Sequence, residues 1–100
     1  MFIVLLKFAA NRDQAGRHME GHKAWLQSGF DDSVFILAGS LQPQRGGAIL
    51  AENTSLEELQ GRVDDDPFVV EKVVTAEILE ITPSRADDRL RFLLGTAAAA

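Results

Sequence analysis

The chain opens on a short unbroken apolar run, Phe2-Ile3-Val4-Leu5-Leu6, which Lys7 and Phe8 close. It is rich in strand-forming types and predicts a first strand. Asn11-Arg12-Asp13 follows as a polar stretch able to cap a helix. Ala15, Met19, His22 and Leu26 then recur at spacings of 4, 3 and 4, with His18 and Trp25 flanking the same stripe. That is a helical period, and Gly29 is placed to end it. Val34 to Ala38 is a second unbroken apolar run, hence strand two. Gly39 to Gly47 holds Gly, Pro, Gln and Arg and reads as a loop or wide hairpin connection. Ala48 to Ala51 is strand three. Ser55 with Glu58 makes a capping box, and Leu56, Leu59 and Val63 supply the stripe of a second helix. Asp66-Pro67 restarts a short helical turn, with Asp66 at the N-cap and Pro67 at the first helical position. Val73 to Ile81 is strand four, bounded by Pro83. Ser84 can cap one further helix with Ala86, Leu90, Leu93 and Leu94 as its apolar side and Gly95 as its stop; the four closing alanines read as a frayed tail.

The resulting order, βαββαβ plus a terminal helix, predicts a ferredoxin-like α+β domain over residues 1–83, followed by a helix and tail over 84–100. Right-handed crossovers put both main helices on one face of a four-stranded antiparallel sheet. Yet strands one and two are apolar at successive positions, so each sheet face carries apolar residues and each needs cover. A second copy of the same sheet, packed face to face, is the simplest cover. The expected state is therefore a homodimer, with a larger oligomer left open. The alternative is that the terminal helix shields the second face within one chain.

Composition narrows the function classes. The chain has 100 residues, 46% hydrophobic and 25% charged, the balance of one folded domain. Its formal net charge is -5. An acidic surface repels phosphate backbones and anionic lipid, so neither nucleic acid nor a membrane is an expected partner. The absence of cysteine excludes disulfides, thiolate metal sites and cysteine nucleophiles, and it fits a reducing cytoplasm, the expected location. The opening apolar run is too short for a signal-peptide core or a bilayer span.

Three places could carry chemistry. His18 and His22 lie four apart on one helical face, a spacing that can hold a metal. A zinc site needs a third ligand, and Glu20 points elsewhere, so no metal is expected. His22 sits inside the apolar stripe, where it is either a satisfied core residue or an imidazole available for proton transfer. Asp64-Asp65-Asp66-Pro67-Phe68 is the second place; Asp66 has a complete structural explanation as an N-cap and an equal claim to a functional one. The third is Ala38-Gly39-Ser40 at the end of strand two, where Gly39 lets a ligand approach the backbone and Ser40 can donate a hydrogen bond. Arg45, beside Gly46-Gly47, could meet an anionic ligand or stay in solvent. No phosphate loop, dinucleotide fingerprint or nucleophile elbow occurs, so no cofactor is expected.

Taken together, Gly21-His22-Lys23-Ala24-Trp25-Leu26, Ala38-Gly39-Ser40, Gly46-Gly47-Ala48-Ile49-Leu50-Ala51 and Asp65-Asp66-Pro67-Phe68 resemble the YciI-like (YCII-related) family, over about the first 83 residues. The resemblance implies a dimeric α+β barrel of two ferredoxin-like halves, with a pocket in each subunit near a catalytic histidine and aspartate. These match His22 and Asp66. Relatives often carry Gly-Pro after strand two where this chain has Gly39-Ser40, so that wall differs. The terminal helix lies outside the common pattern. The leading expectation is a small cofactor-free enzyme moving a proton on a small organic molecule, by isomerisation, elimination or dehydrochlorination. His22 is the general base, Asp66 orients it, and Ser40, Gly39, Arg45 and Phe68 contact the ligand. Phe68 and Trp25 serve as pocket lining or as core. The competing readings are a small-molecule-binding or accessory dimer without catalysis, and a structural role in which the terminal helix docks a partner.

Overall fold

The computed structural model describes residues 1–95. Four strands, β1 (Phe2–Phe8), β2 (Phe35–Leu41), β3 (Gly46–Ala51) and β4 (Val74–Glu80), form one antiparallel sheet in the order β2-β3-β1-β4. Helices α1 (Ala15–Asp31), α2 (Leu56–Asp64) and the single turn α3 (Pro67–Val70) complete the βαββαβ order. This is the ferredoxin-like α+β architecture.

Local chemistry explains most boundaries. Ser55 accepts from the Glu58 N–H at 3.1 Å while its own N–H donates to the Glu58 carboxylate, the reciprocal box that starts α2. Asp66 caps α3 by accepting from the Phe68 N–H at 3.0 Å, with Pro67 at the first helical position. The N-cap of α1 is Gln14, reached through a 3-10 turn over Arg12–Gln14, and Asn11 instead ties the Glu71 carbonyl across the fold. Gly29 does not end α1. It lies buried inside the helix, and a Cβ there would stand 2.1 Å from the Phe35 ring. Its role is close packing of helix on strand, which the stop reading missed.

The connection between β2 and β3 is tighter than the loop the sequence suggests. Strand β2 runs on to Leu41 and β3 begins at Gly46, leaving a short turn that contains a cis Gln42-Pro43 bond. A register shift between Phe35 and Leu37 leaves Ile36 without a partner on β3. Such a bulge reverses the alternation beyond it. Opposed residues share a face, so Phe35, Ala38 and Ser40 join Phe2, Val4, Leu6, Ile49 and Ala51 on the helix side.

The core lies between that side and the helices, built from Phe2, Val4, Leu6, Trp25, Phe35, Ile49, Leu59, Val63, Phe68, Val73 and Val74. On the opposite side, Leu37, Leu50, Ile3 and Leu79 form one row across all four strands. Its ends are open: Leu37 is 55% and Leu79 41% exposed.

The terminal helix departs from expectation. It is a 3-10 helix, Asp88–Leu93, capped by Asp87 through the Arg89 N–H and not by Ser84. The Arg89 side chain, aided by that backbone bond, holds the Asp87 carboxyl below its usual range. Asp88 and Arg91 pair three residues apart, the spacing that a 3-10 helix superimposes. Leu90 and Phe92 remain exposed, so this segment does not seal the open sheet face. The closing alanines lie outside the described residues. Among the described residues no helix is long and apolar enough to cross a membrane.

Candidate functional site

The site begins with a close approach of α1 to α3. Gly21, without a side chain, lets the Pro67 ring come to 3.1 Å from where a Cβ would stand. One residue further along, His22 therefore meets Asp66. The His22 Nδ1 lies 2.8 Å from Asp66 Oδ1. The same oxygen accepts the Phe68 N–H, so the helix cap and the histidine partner are one atom. Asp66 is fully buried. Its Oδ2 has no hydrogen-bond partner among the described residues. A buried carboxylate oxygen without a donor is costly, by about 1–3 kcal/mol.

Two aromatic rings stack with that of His22. Phe68 stacks on it with centroids 4.0 Å apart and planes 2° from parallel, and Trp25 lies 5.7 Å away at 26°. Asp66 Oδ1 is the acceptor of this contact when the ring donates through Nδ1–H, the tautomer assigned from the pairing. Nε2 has no hydrogen bond inside the protein among the described residues. The side chain is 12% exposed, enough for one edge to reach solvent.

His22 lines a cavity of about 360 Å3 between α1 and the helix side of the sheet. Leu6, Phe8, Met19, Leu26, Ile49 and Val74 make most of its wall. His22, Ser40 and Lys23 are the polar side chains at its surface. The volume falls at the small end of ligand pockets, which run from about 300 to 1,000 Å3. Gly39, Gly46, Gly47 and Ala48 line the sheet side, so the backbone itself forms that wall. Ser40 faces the cavity because the β2 bulge turned it to the helix side.

Of the residues singled out from sequence, His22, Gly39, Ser40 and Phe68 surround this cavity, with Asp66 directly behind His22. Arg45 does not line it, a correction to the expected ligand contact. Arg45 is exposed in the turn, where its N–H donates to the Leu41 carbonyl and its carbonyl accepts from the Phe8 N–H. The short turn anchors its backbone and leaves the guanidinium in solvent. Trp25 is core. Its indole N–H donates to the Arg62 carbonyl at 2.8 Å and its ring packs edge-on to Phe35. Lys23 and Met19 are wall residues that the motif reading did not single out. Met19 was visible only as stripe, and Lys23 only as the residue after His22. No group of three or more His, Asp or Glu able to hold a metal gathers among the described residues, and His18 stands apart from His22's contacts.

No family model matches the chain, and no curated protein matches it in sequence. Among solved structures, it is similar to the 5-chloro-2-hydroxyhydroquinone dehydrochlorinase TftG of Burkholderia phenoliruptrix AC1100, in complex with 2,5-dihydroxybenzoquinone. The TM-score is 0.65 at 14% identity, over 81% of this chain and 93% of that one. At that identity the likeness establishes the fold the two share.

Proposed function

We propose that this protein is a small enzyme that moves a proton on a small organic molecule, with His22 as general base and Asp66 as its orienting partner. The observation that carries this reading is the 2.8 Å His22–Asp66 contact at the wall of an apolar cavity, with Nε2 left for a ligand. Nε2 takes a proton from an acidic C–H or O–H. The Asp66 carboxylate stabilises the imidazolium that forms. Returning the proton to another carbon completes an isomerisation. Departure of a leaving group such as chloride with the displaced electron pair completes an elimination. The fold shared with a dehydrochlorinase supports the second outcome, and Ser40, which lines the cavity, would hold a substrate oxygen.

The test is hydrogen exchange. Small phenols, lactones and carboxylic acids incubated with the protein in D2O should gain deuterium at an acidic position, read by proton NMR. His22→Ala should lose about 10²- to 10⁴-fold in that rate while binding persists. Ligand binding in the wild type with no exchange or elimination would favour the carrier reading and remove the catalytic one.

The same proposal includes a homodimer formed through the open sheet face. The continuous row Leu37, Leu50, Ile3 and Leu79 supports it, because its apolar ends stay in water in a single chain. Light scattering should give twice the chain mass for the wild type and the single-chain mass for the double variant Leu37→Glu, Leu79→Glu. A wild type that stays monomeric at high concentration would remove the dimer.

A further inference from the structure

The polar groups around the cavity are unequal in charge. Lys23 is a cation. No Asp or Glu lines the cavity. Asp66 is fully buried behind the His22 ring and committed to two donors. Lys23, like several other cations of the chain, has no ion pair among the described residues, but it is the one Lys or Arg of those residues that lines the cavity. The chain as a whole carries a net charge of -5, so a free ammonium at a cavity mouth stands against the overall field. A long aliphatic stem lets lysine run along apolar wall and keep its charge at the rim.

Building on the proton-transfer reading, we infer that the ligand of this cavity is a small planar ring bearing an oxyanion, a carboxylate or phenolate, and that Lys23 binds that oxyanion. The ring would lie on Met19, Leu26 and Phe8, with the charged oxygen at the mouth. A cationic ligand would find no countercharge there. A neutral ring would use the walls and leave the ammonium idle. The anchor also fixes the end of the ligand opposite the oxyanion near His22 Nε2, so Lys23 is a binding and positioning residue with no proton to carry. It also serves the chemistry indirectly, since negative charge that builds on the ring as Nε2 removes a proton meets a cation already in place.

The test compares benzoate with its neutral isostere benzamide by NMR titration at fixed ionic strength. The wild type should bind benzoate about five- to tenfold more tightly, with shifts at Met19, Leu26 and Ala38. Lys23→Gln should bring that ratio close to one, and Lys23→Arg should keep most of it. A second arm uses 4-nitrophenol, whose yellow anion reports its own protonation. Binding should favour the anion in the wild type and not in Lys23→Gln. Preference for the anion in either arm, lost in Lys23→Gln, supports the inference and tells carboxylate from phenolate. Equal binding of benzoate and benzamide at the cavity, with no shift in nitrophenol protonation, overturns it and leaves the proton-transfer reading standing. A preference that survives in Lys23→Gln also overturns it. If no compound perturbs cavity resonances, both readings fall.

Discussion

Replacing Gly46 by alanine will destabilise this protein by about 3 kcal/mol or more, the sum of left-handed strain and a forced clash. Gly46 adopts φ +130, a region closed to side chains in ordinary backbone. A Cβ there would stand 1.8 Å from the Leu6 carbonyl oxygen. The obstacle is backbone of the central strand β1, so no rotamer change relieves it. The β1–β3 pairing at Lys7 and Gly46 would have to open. Domains of this size have about 5–15 kcal/mol of stability in all, and each kcal/mol moves the melting temperature by about 4–8 °C. A fall of some 12 °C or more is therefore expected for G46A by calorimetry (about 3 kcal/mol at 4 °C each). Gly39→Ala is the control, because nothing lies within 4 Å of a Cβ built there. Its cost should stay within about 0.5 kcal/mol, as for most surface changes. Equal melts for the two variants would refute the close approach at the start of β3.

Asp66→Ala is the second large effect, expected at about 2–4 kcal/mol. It removes the cap of α3, commonly about 1 kcal/mol, and strands the partly buried His22 Nδ1–H, at about 1–3 kcal/mol. Asp66→Asn separates geometry from charge. The amide oxygen can still accept from Phe68 N–H and His22 Nδ1–H, so its melt should lie between wild type and D66A. The charge that steadies an imidazolium is gone, and deuterium exchange should fall by about 10²- to 10⁴-fold. If D66A melts with the wild type, the buried contact contributes nothing and the site reading loses its anchor. If D66N exchanges at the wild-type rate, the carboxylate caps a helix and does no more.

These two residues also show how far the chain could be read without coordinates. The N-cap role of Asp66 was legible, since Asp-Pro states a local rule about one turn. The capping box at Ser55 and the helical stripe through Met19 and Leu26 were legible for the same reason. Gly29 and Gly46 were not. A glycine in a string can be a stop, a turn or a contact, and which one depends on what arrives from elsewhere: the Phe35 ring in one case, the Leu6 carbonyl in the other. Arg45 read as a ligand contact because it precedes two glycines, but the tight turn turned it to solvent. The terminal segment read as a helix capped by Ser84, yet the helix is a 3-10 one that starts at Asp88 under an Asp87 cap.

What the sequence by itself determined is the element order, the caps and the apolar supply for two sheet faces, all of which rest on interactions within a few residues. Tertiary structure brings His22 to Asp66 across 44 residues, a pairing that the family resemblance implied and the local pattern did not, and it alone decided that a one-residue bulge turns Ser40 toward the helices and that Lys23 reaches the same cavity. The reason is physical. Propensity and capping act along the chain, whereas a site is made by contacts between distant segments, and a single shift of register moves every side chain beyond it to the other face.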